Sequence, residues 1–124
     1  MSGSPHKTIL IIDDEFVMIE VLEMLFTDEG YRVITAADGE EALELMEVER
    51  PDLVITDYMM PKLPGPQLVA RMAADARFSA IPIIMMSGGY PHERPAHVRA
   101  FFRKPAPVDE LLRAVAELLA TSAQ

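Results

Sequence analysis

Five short apolar runs, each followed by a turn or a helix-like stretch, limit this chain to few architectures. The first, "KTILIIDDE", runs from isoleucine and leucine into acids. "FVMIEVLEMLFTDEG" follows, with Val17, Val21, Met24 and Leu25 at helical spacing and Gly30 as a stop signal. "YRVITA" is a second strand, and Asp38 is placed to cap "GEEALELMEVER", whose Ala42, Leu45 and Met46 form a stripe ended by Pro51. "DLVITD" is a third strand, "MPKLPG" a loop and "PQLVARMAAD" a helix. "IPIIMMS" and "FFRKP" are read as the fourth and fifth strands. "VDELLRAVAELLA" is an amphipathic last helix with Leu112, Val115, Ala116 and Leu119 on one side. Strands that are apolar throughout, alternating with helices, predict an α/β domain. Its parallel sheet is doubly wound, with helices on both faces.

The length of 124 residues suits one domain, and a 50% hydrophobic content supplies its core. No apolar run reaches the roughly 20 residues of a membrane span. Cysteine is absent, so neither disulfides nor thiolate metal sites are available. Residues 1–6 are expected to be a flexible leader, and the chain a cytoplasmic domain. A net charge of −9 argues against nucleic acid as a partner. The charge is uneven, since 15 of the 20 acids and only 3 of the 11 Lys/Arg residues precede Tyr58. A site built from the first half would favour cations.

In a parallel sheet the crevice beyond the strands' carboxyl ends is the usual binding position. Four of these ends carry polar residues: Asp13 and Asp14 after the first strand, Asp57 ending the third, Ser87 the fourth and Lys104 the fifth. Taken singly, an aspartate here is a helix cap and Ser87 before two glycines is a turn. Together they form a matched set. Three carboxylates repel one another, and a lysine and a divalent cation with oxygen ligands offset that repulsion.

"ILIIDDE", "DLVITDYMMPKLPG", "IPIIMMSG" and "FFRKP", in this order, resemble the motifs of response-regulator receiver domains, the phospho-accepting modules of two-component signalling. The resemblance runs from Lys7 to about Leu119. It implies a flavodoxin-like fold of five strands and a role for each residue of the set. Asp57 would be the phospho-acceptor. Asp14, Asp57 and the Met59 carbonyl would ligate Mg²⁺, or Mn²⁺ in its place, with Asp13 acting mainly through water. Lys104 would pair with Asp57 and then with the phosphoryl group, aimed by a cis Lys104–Pro105 peptide. Ser87 would donate to a phosphoryl oxygen, with Gly88 leaving room, and Phe101 would be the aromatic partner of Ser87 in the switch. In the family, side chains at the positions of Met59 and Gly89 flank the path of the attacking water, so these two would offer it no good hydrogen-bonding side chain.

The implied partner is a histidine kinase or histidine-phosphotransfer domain, contacted through Phe16, Met18 and Tyr90. A further downstream protein would read the switch, with the chain a monomer or weak dimer lacking an output domain. Besides catalysing its own phosphorylation and dephosphorylation, such a domain is no conventional enzyme. A pseudo-receiver without phosphotransfer is the alternative, opposed by the Asp57/Lys104 pair. A haloacid-dehalogenase-type phosphatase would want Asp-x-Asp where Asp13, Asp14 and Glu15 stand. A nucleotide-binding module would want glycines after the first strand.

One interval departs from the family pattern. Only 17 positions separate Ser87 from Lys104, and Gly88, Gly89, Pro91 and Pro95 fall among them. Proline and glycine leave helical potential only from Pro95 to about Ala100. The helix between the fourth and fifth strands is therefore expected to be missing or about one turn long, with a mobile loop around Tyr90 to Arg94.

Overall fold

The computed structural model describes residues 6–89 and 94–122. Their order is β1 (Thr8–Ile12), α1 (Phe16–Asp28), β2 (Arg32–Ala36), α2 (Gly39–Glu49), β3 (Leu53–Asp57), α3 (Gly65–Ala73), β4 (Ile83–Ser87), β5 (Val98–Arg103) and α4 (Val108–Ser122). The strands form one parallel sheet in the order β2-β1-β3-β4-β5. The alternation therefore builds the doubly wound fold expected of it.

The apolar strands bury both faces, so side chains alternate between two cores. Leu10, Ile12, Val54, Ile83 and Met85 meet Ala42 and Met46 of α2 and Leu68, Val69 and Met72 of α3. Ile9, Ile11, Leu53, Ile55, Ile84 and Met86 meet Leu22 and Phe26 of α1 and Leu111, Val115 and Leu119 of α4. This period of two is what a sheet sandwiched between helices requires.

Two helix ends follow from local chemistry. Asp38 accepts a hydrogen bond from the Glu41 amide at 2.8 Å, the expected cap of α2. Gly30 adopts φ 96°, after which the Tyr31 amide donates to the Phe26 carbonyl and the Gly30 amide to that of Thr27. The rings of Phe26 and Tyr31 close this αL stop at 6.1 Å between centroids.

The expected stripe of α1 is out of phase with the burial, and that of α4 differs at one position. On α1, Val17, Val21 and Met24 are exposed, and Leu22 and Phe26 carry the core contact, with Met18, Ile19 and Leu25 beside them. On α4, Val115 and Leu119 are buried and Leu112 packs beside them as expected, while Ala116 is exposed and Leu111 joins the core instead. In both helices apolar residues exceed one stripe, so spacing alone admits more than one phase.

Among the described residues no helix lies between β4 and β5: Gly88 and Gly89 bend, and residues 94–97 end in a turn with His97 at φ 75°. The expected loss of that helix agrees with this. The expectation of helical potential up to Ala100, and of a strand starting at Phe101, needs correcting. Val98, buried at the head of β5, pairs with Ile83, and Ala100 pairs with Ile84, leaving Arg99 as an extra residue in the ladder. Pairing with β4 satisfies the backbone groups that face it along β5, an edge strand, whereas one isolated helical turn is marginal. Tyr90 and residues 91–93, where a mobile loop and a partner contact were expected, lie outside the described residues.

Candidate functional site

The strand order reverses between β1 and β3, and the crevice opens where their carboxyl ends lie side by side. Ile12 pairs with Thr56, so the next residues, Asp13 and Asp57, meet at the sheet edge. Asp57 is the last residue of β3, while Ser87 ends β4 beside Arg103. The Lys104 amide donates to the Ser87 carbonyl at 2.8 Å, which fixes the start of the lysine next to the serine. The Lys104–Pro105 peptide is cis, as expected.

The carboxylates of Asp13, Asp14 and Asp57 each bring an oxygen to within 4.8 Å of the others. Asp13 and Asp57 are buried and Asp14 is exposed. Lys104 Nζ lies 2.9 Å from Asp13 Oδ2, 3.2 Å from Glu15 Oε1 and 3.3 Å from Asp57 Oδ2. The expected Lys104–Asp57 pair is present, but Asp13 is the nearer partner. Asp57 Oδ1 accepts from the Tyr58 amide at 2.9 Å. Asp13 Oδ1 accepts from the Glu15 amide at 2.9 Å.

The electrostatics follow from burial and crowding. Desolvation, then the charge of Asp13, raises the Asp57 pKa above its ordinary value, against the opposing pull of Lys104. For Lys104, burial favours the neutral amine, but the hydrogen bond and charge of Asp13 outweigh it, with help from Asp57 and Glu15. The ammonium is held well above its usual range.

Ser87 Oγ is buried and has no hydrogen-bond partner among the described residues. A buried hydroxyl normally finds one. This orphan group and an all-oxygen cluster beside a lysine fit a hard cation with an anion next to it, such as Mg²⁺ with a phosphoryl group.

Around this centre, the side chain of Met59 is exposed, and a Cβ on Gly88 would make only ordinary contact with Lys104 Cδ, at 3.5 Å. Phe101 is half-buried and stacks on Tyr58 with centroids 6.4 Å apart and planes at 20°. Of the expected partner contacts, Phe16 is exposed at the start of α1. Met18 is half-buried and lines a groove between α1 and α4 with Val21, Leu22, Pro105 and Leu111.

Three contributors escaped the sequence reading. Glu15 shares Lys104. Tyr58, the residue after Asp57, stacks on Phe101. Gly65 backs the end of β3: its amide donates to the Tyr58 carbonyl at 2.9 Å, and a Cβ on it would fall 2.4 Å from the Asp57 carbonyl oxygen. Only the third left a signal, the glycine closing "MPKLPG".

Known proteins match this arrangement. The family model for the response regulator receiver domain matches residues 9–116. The chain belongs to that family. It is 46% identical over 81 residues to "Probable transcriptional regulator ycf27" of Cyanophora paradoxa, covering 65% of this chain and 33% of that protein. It is 40% identical over 82 residues to "Alkaline phosphatase synthesis transcriptional regulatory protein PhoP" of Bacillus subtilis, covering 66% of this chain and 33% of the relative. The chain thus matches about a third of the length of these curated relatives. The crystal structure of a response regulator receiver protein from Pseudomonas putida superposes with a TM-score of 0.84 at 28% identity, covering 92% of this receiver and 98% of that chain. Response-regulator receiver homologues are signalling proteins and not conventional enzymes. Among the described residues no helix is long and apolar enough to cross a membrane.

Proposed function

We propose that this receiver takes a phosphoryl group onto Asp57 from a phosphohistidine of a histidine kinase or phosphotransfer domain, in the cytoplasm, and that the modified form alters binding to a downstream protein. The observation that carries this reading is the convergence of Asp13, Asp14 and Asp57 on one crevice with Lys104 among them.

Asp57 is held for nucleophilic attack. A carboxylate oxygen forms a bond to phosphorus as the phosphorus–nitrogen bond of the donor breaks, and the imidazole leaves with its electron pair and takes up a proton. Asp14, Asp57 and the Met59 carbonyl would hold Mg²⁺ or Mn²⁺, with Asp13 acting through water. The bound cation would offset charge on the phosphoryl oxygens. Lys104 faces the same oxygens as a compact charge, and Ser87 offers its unused hydroxyl. Met59 and Gly89 supply no strong hydrogen-bonding side chain to an attacking water, so self-dephosphorylation runs without their help.

The switch uses Ser87 and Phe101. Drawing the Ser87 hydroxyl to the phosphoryl group frees space for the Phe101 ring, a shift between two packings. The ring has no hydroxyl to hold either state by a hydrogen bond. The donor's surface is read at the start of α1, where Phe16 and Val17 are exposed beside Met18. The chain acts as one receiver unit, monomeric or weakly dimeric.

Intact-mass measurement with acetyl phosphate tests this directly. A one-phosphate adduct is expected with Mg²⁺ and not after chelation, and it should vanish in Asp57→Asn. Persistence of the adduct in that variant would place the acceptor elsewhere. No adduct on the parent from either acetyl phosphate or a phosphorylated kinase would favour a pseudo-receiver.

A further inference from the structure

Lys104 has three N–H donors and three carboxylates around them. Asp57 is the partner expected from the chemistry of the site, and Asp13 beside it is the nearest. The third, Glu15, comes from the N-cap position of α1. A polar side chain there ordinarily accepts a hydrogen bond from the helix's first turn. Glu15 makes no such bond and reaches instead to Lys104 Nζ at 3.2 Å. Its own amide is tied to Asp13 Oδ1, so the backbone that carries Glu15 is fixed to the carboxylate that also holds the lysine.

The three partners differ in what it costs to release them. The side chains of Asp13 and Asp57 are 2% and 10% exposed, that of Glu15 64%. Lys104 donates hydrogen bonds to Asp13 and Glu15 and faces Asp57 as an ion pair at 3.3 Å, so a phosphoryl oxygen arriving at Asp57 competes with these carboxylates for the ammonium. Stripping the lysine from a buried carboxylate leaves an uncompensated charge away from water. Glu15 can pass its half of the pair to solvent at little cost.

We propose that Glu15 is a positioning residue: a releasable third anchor that holds Lys104 at the mouth of the resting site and yields it to the phosphoryl group. The release step rests on the phosphotransfer reading above, whereas the anchoring contact does not. Without this anchor Lys104 would keep only Asp13 and Asp57, and one carboxylate fewer would compete with the incoming group.

Two variants separate contact from charge. Glu15→Ala removes both, while Glu15→Asp keeps the charge on a side chain one methylene shorter. Because Glu15 makes no side-chain cap, neither change removes a helix-capping bond. In metal-free protein, the side-chain NMR resonances of Lys104 are expected to move in both variants, with increased mobility at its ε-carbon. With acetyl phosphate and Mg²⁺, both variants are expected to label Asp57 about 1.4- to fivefold faster than the parent, the span of an exposed pair's strength.

Unmoved Lys104 resonances would overturn the anchor. Faster labelling in Glu15→Ala alone would assign the effect to repulsion of the anionic donor and overturn the release. Unchanged rates in both would do the same. No label on the parent would overturn the phosphotransfer reading, and the release with it, while the resonances still decide the anchor.

Discussion

Asp57 sits where its charge is least comfortable, buried at a strand end and facing Asp13. Its folded pKa is raised. Folding therefore favours the protonated acid, a preference fully present below the ordinary carboxylate value of about 3.9 and lost as pH rises through the folded value. Asp57→Asn removes the ionised form at nearly constant shape. The variant is expected to match the parent's melting temperature in acid. It should melt higher at neutral pH by about 1 kcal/mol, or roughly 4 °C in a domain this size. Melting curves across pH check this, and a gap that closes towards neutral pH would contradict the crowding of Asp57. Lys104 limits the gain, because the same substitution weakens one of its three pairs.

At the scale of elements, α1 shows how packing chooses among apolar residues. Leu22 is buried and Met24 exposed. Leu22→Ala should cost about 2–5 kcal/mol and Met24→Ala within about 0.5 kcal/mol, measured by denaturant unfolding. Equal costs would mean that α1 is rotated from the phase described. The start of α3 is bound to the site in a different way. Gly65 lies against the Asp57 carbonyl and the terminal methyl of Met85, a space no Cβ can share. Gly65→Ala is expected to destabilise by about 1–3 kcal/mol. It should also slow Asp57 labelling, since the helix start can move only by displacing the end of β3. Full stability and labelling in that variant would show that the loop 58–64 absorbs the change.

For the whole molecule, the sheet gathers acids from opposite ends of its first half and a lysine from just beyond its last strand. Such a site is stabilised by what it binds. Mg²⁺ at about 100 times its dissociation constant should add about 2.7 kcal/mol to folding stability, several degrees in melting temperature. Asp14→Ala should lose most of this increment while leaving the metal-free melting point nearly unchanged, because Asp14 is exposed. Thermal melts with and without Mg²⁺ provide the check. An increment that survives in Asp14→Ala would place the cation off the Asp13–Asp14–Asp57 cluster.

How much was legible in the sequence depended on whether each feature is local. The strands as apolar runs, the Asp38 cap, the Gly30 stop and the missing helix after β4 follow from nearest-neighbour chemistry. Two glycines and two prolines so closely spaced disfavour a multi-turn helix between β4 and β5, and the structure agrees as far as its described residues go. The polar strand ends were also readable, because a parallel sheet must place them at one edge. The phase of α1 and the start of β5 were not. Val21 and Leu22 are equally apolar, and only the sheet beneath decides which is covered. Val98 to Ala100 could turn or extend, and only the free edge of β4 makes extension pay. The sharing of Lys104 lay beyond any local signal, since 89 residues separate it from Glu15. That contact exists because the β1–α1 turn, fixed by Asp13, and the end of β5 come together at one mouth of the fold.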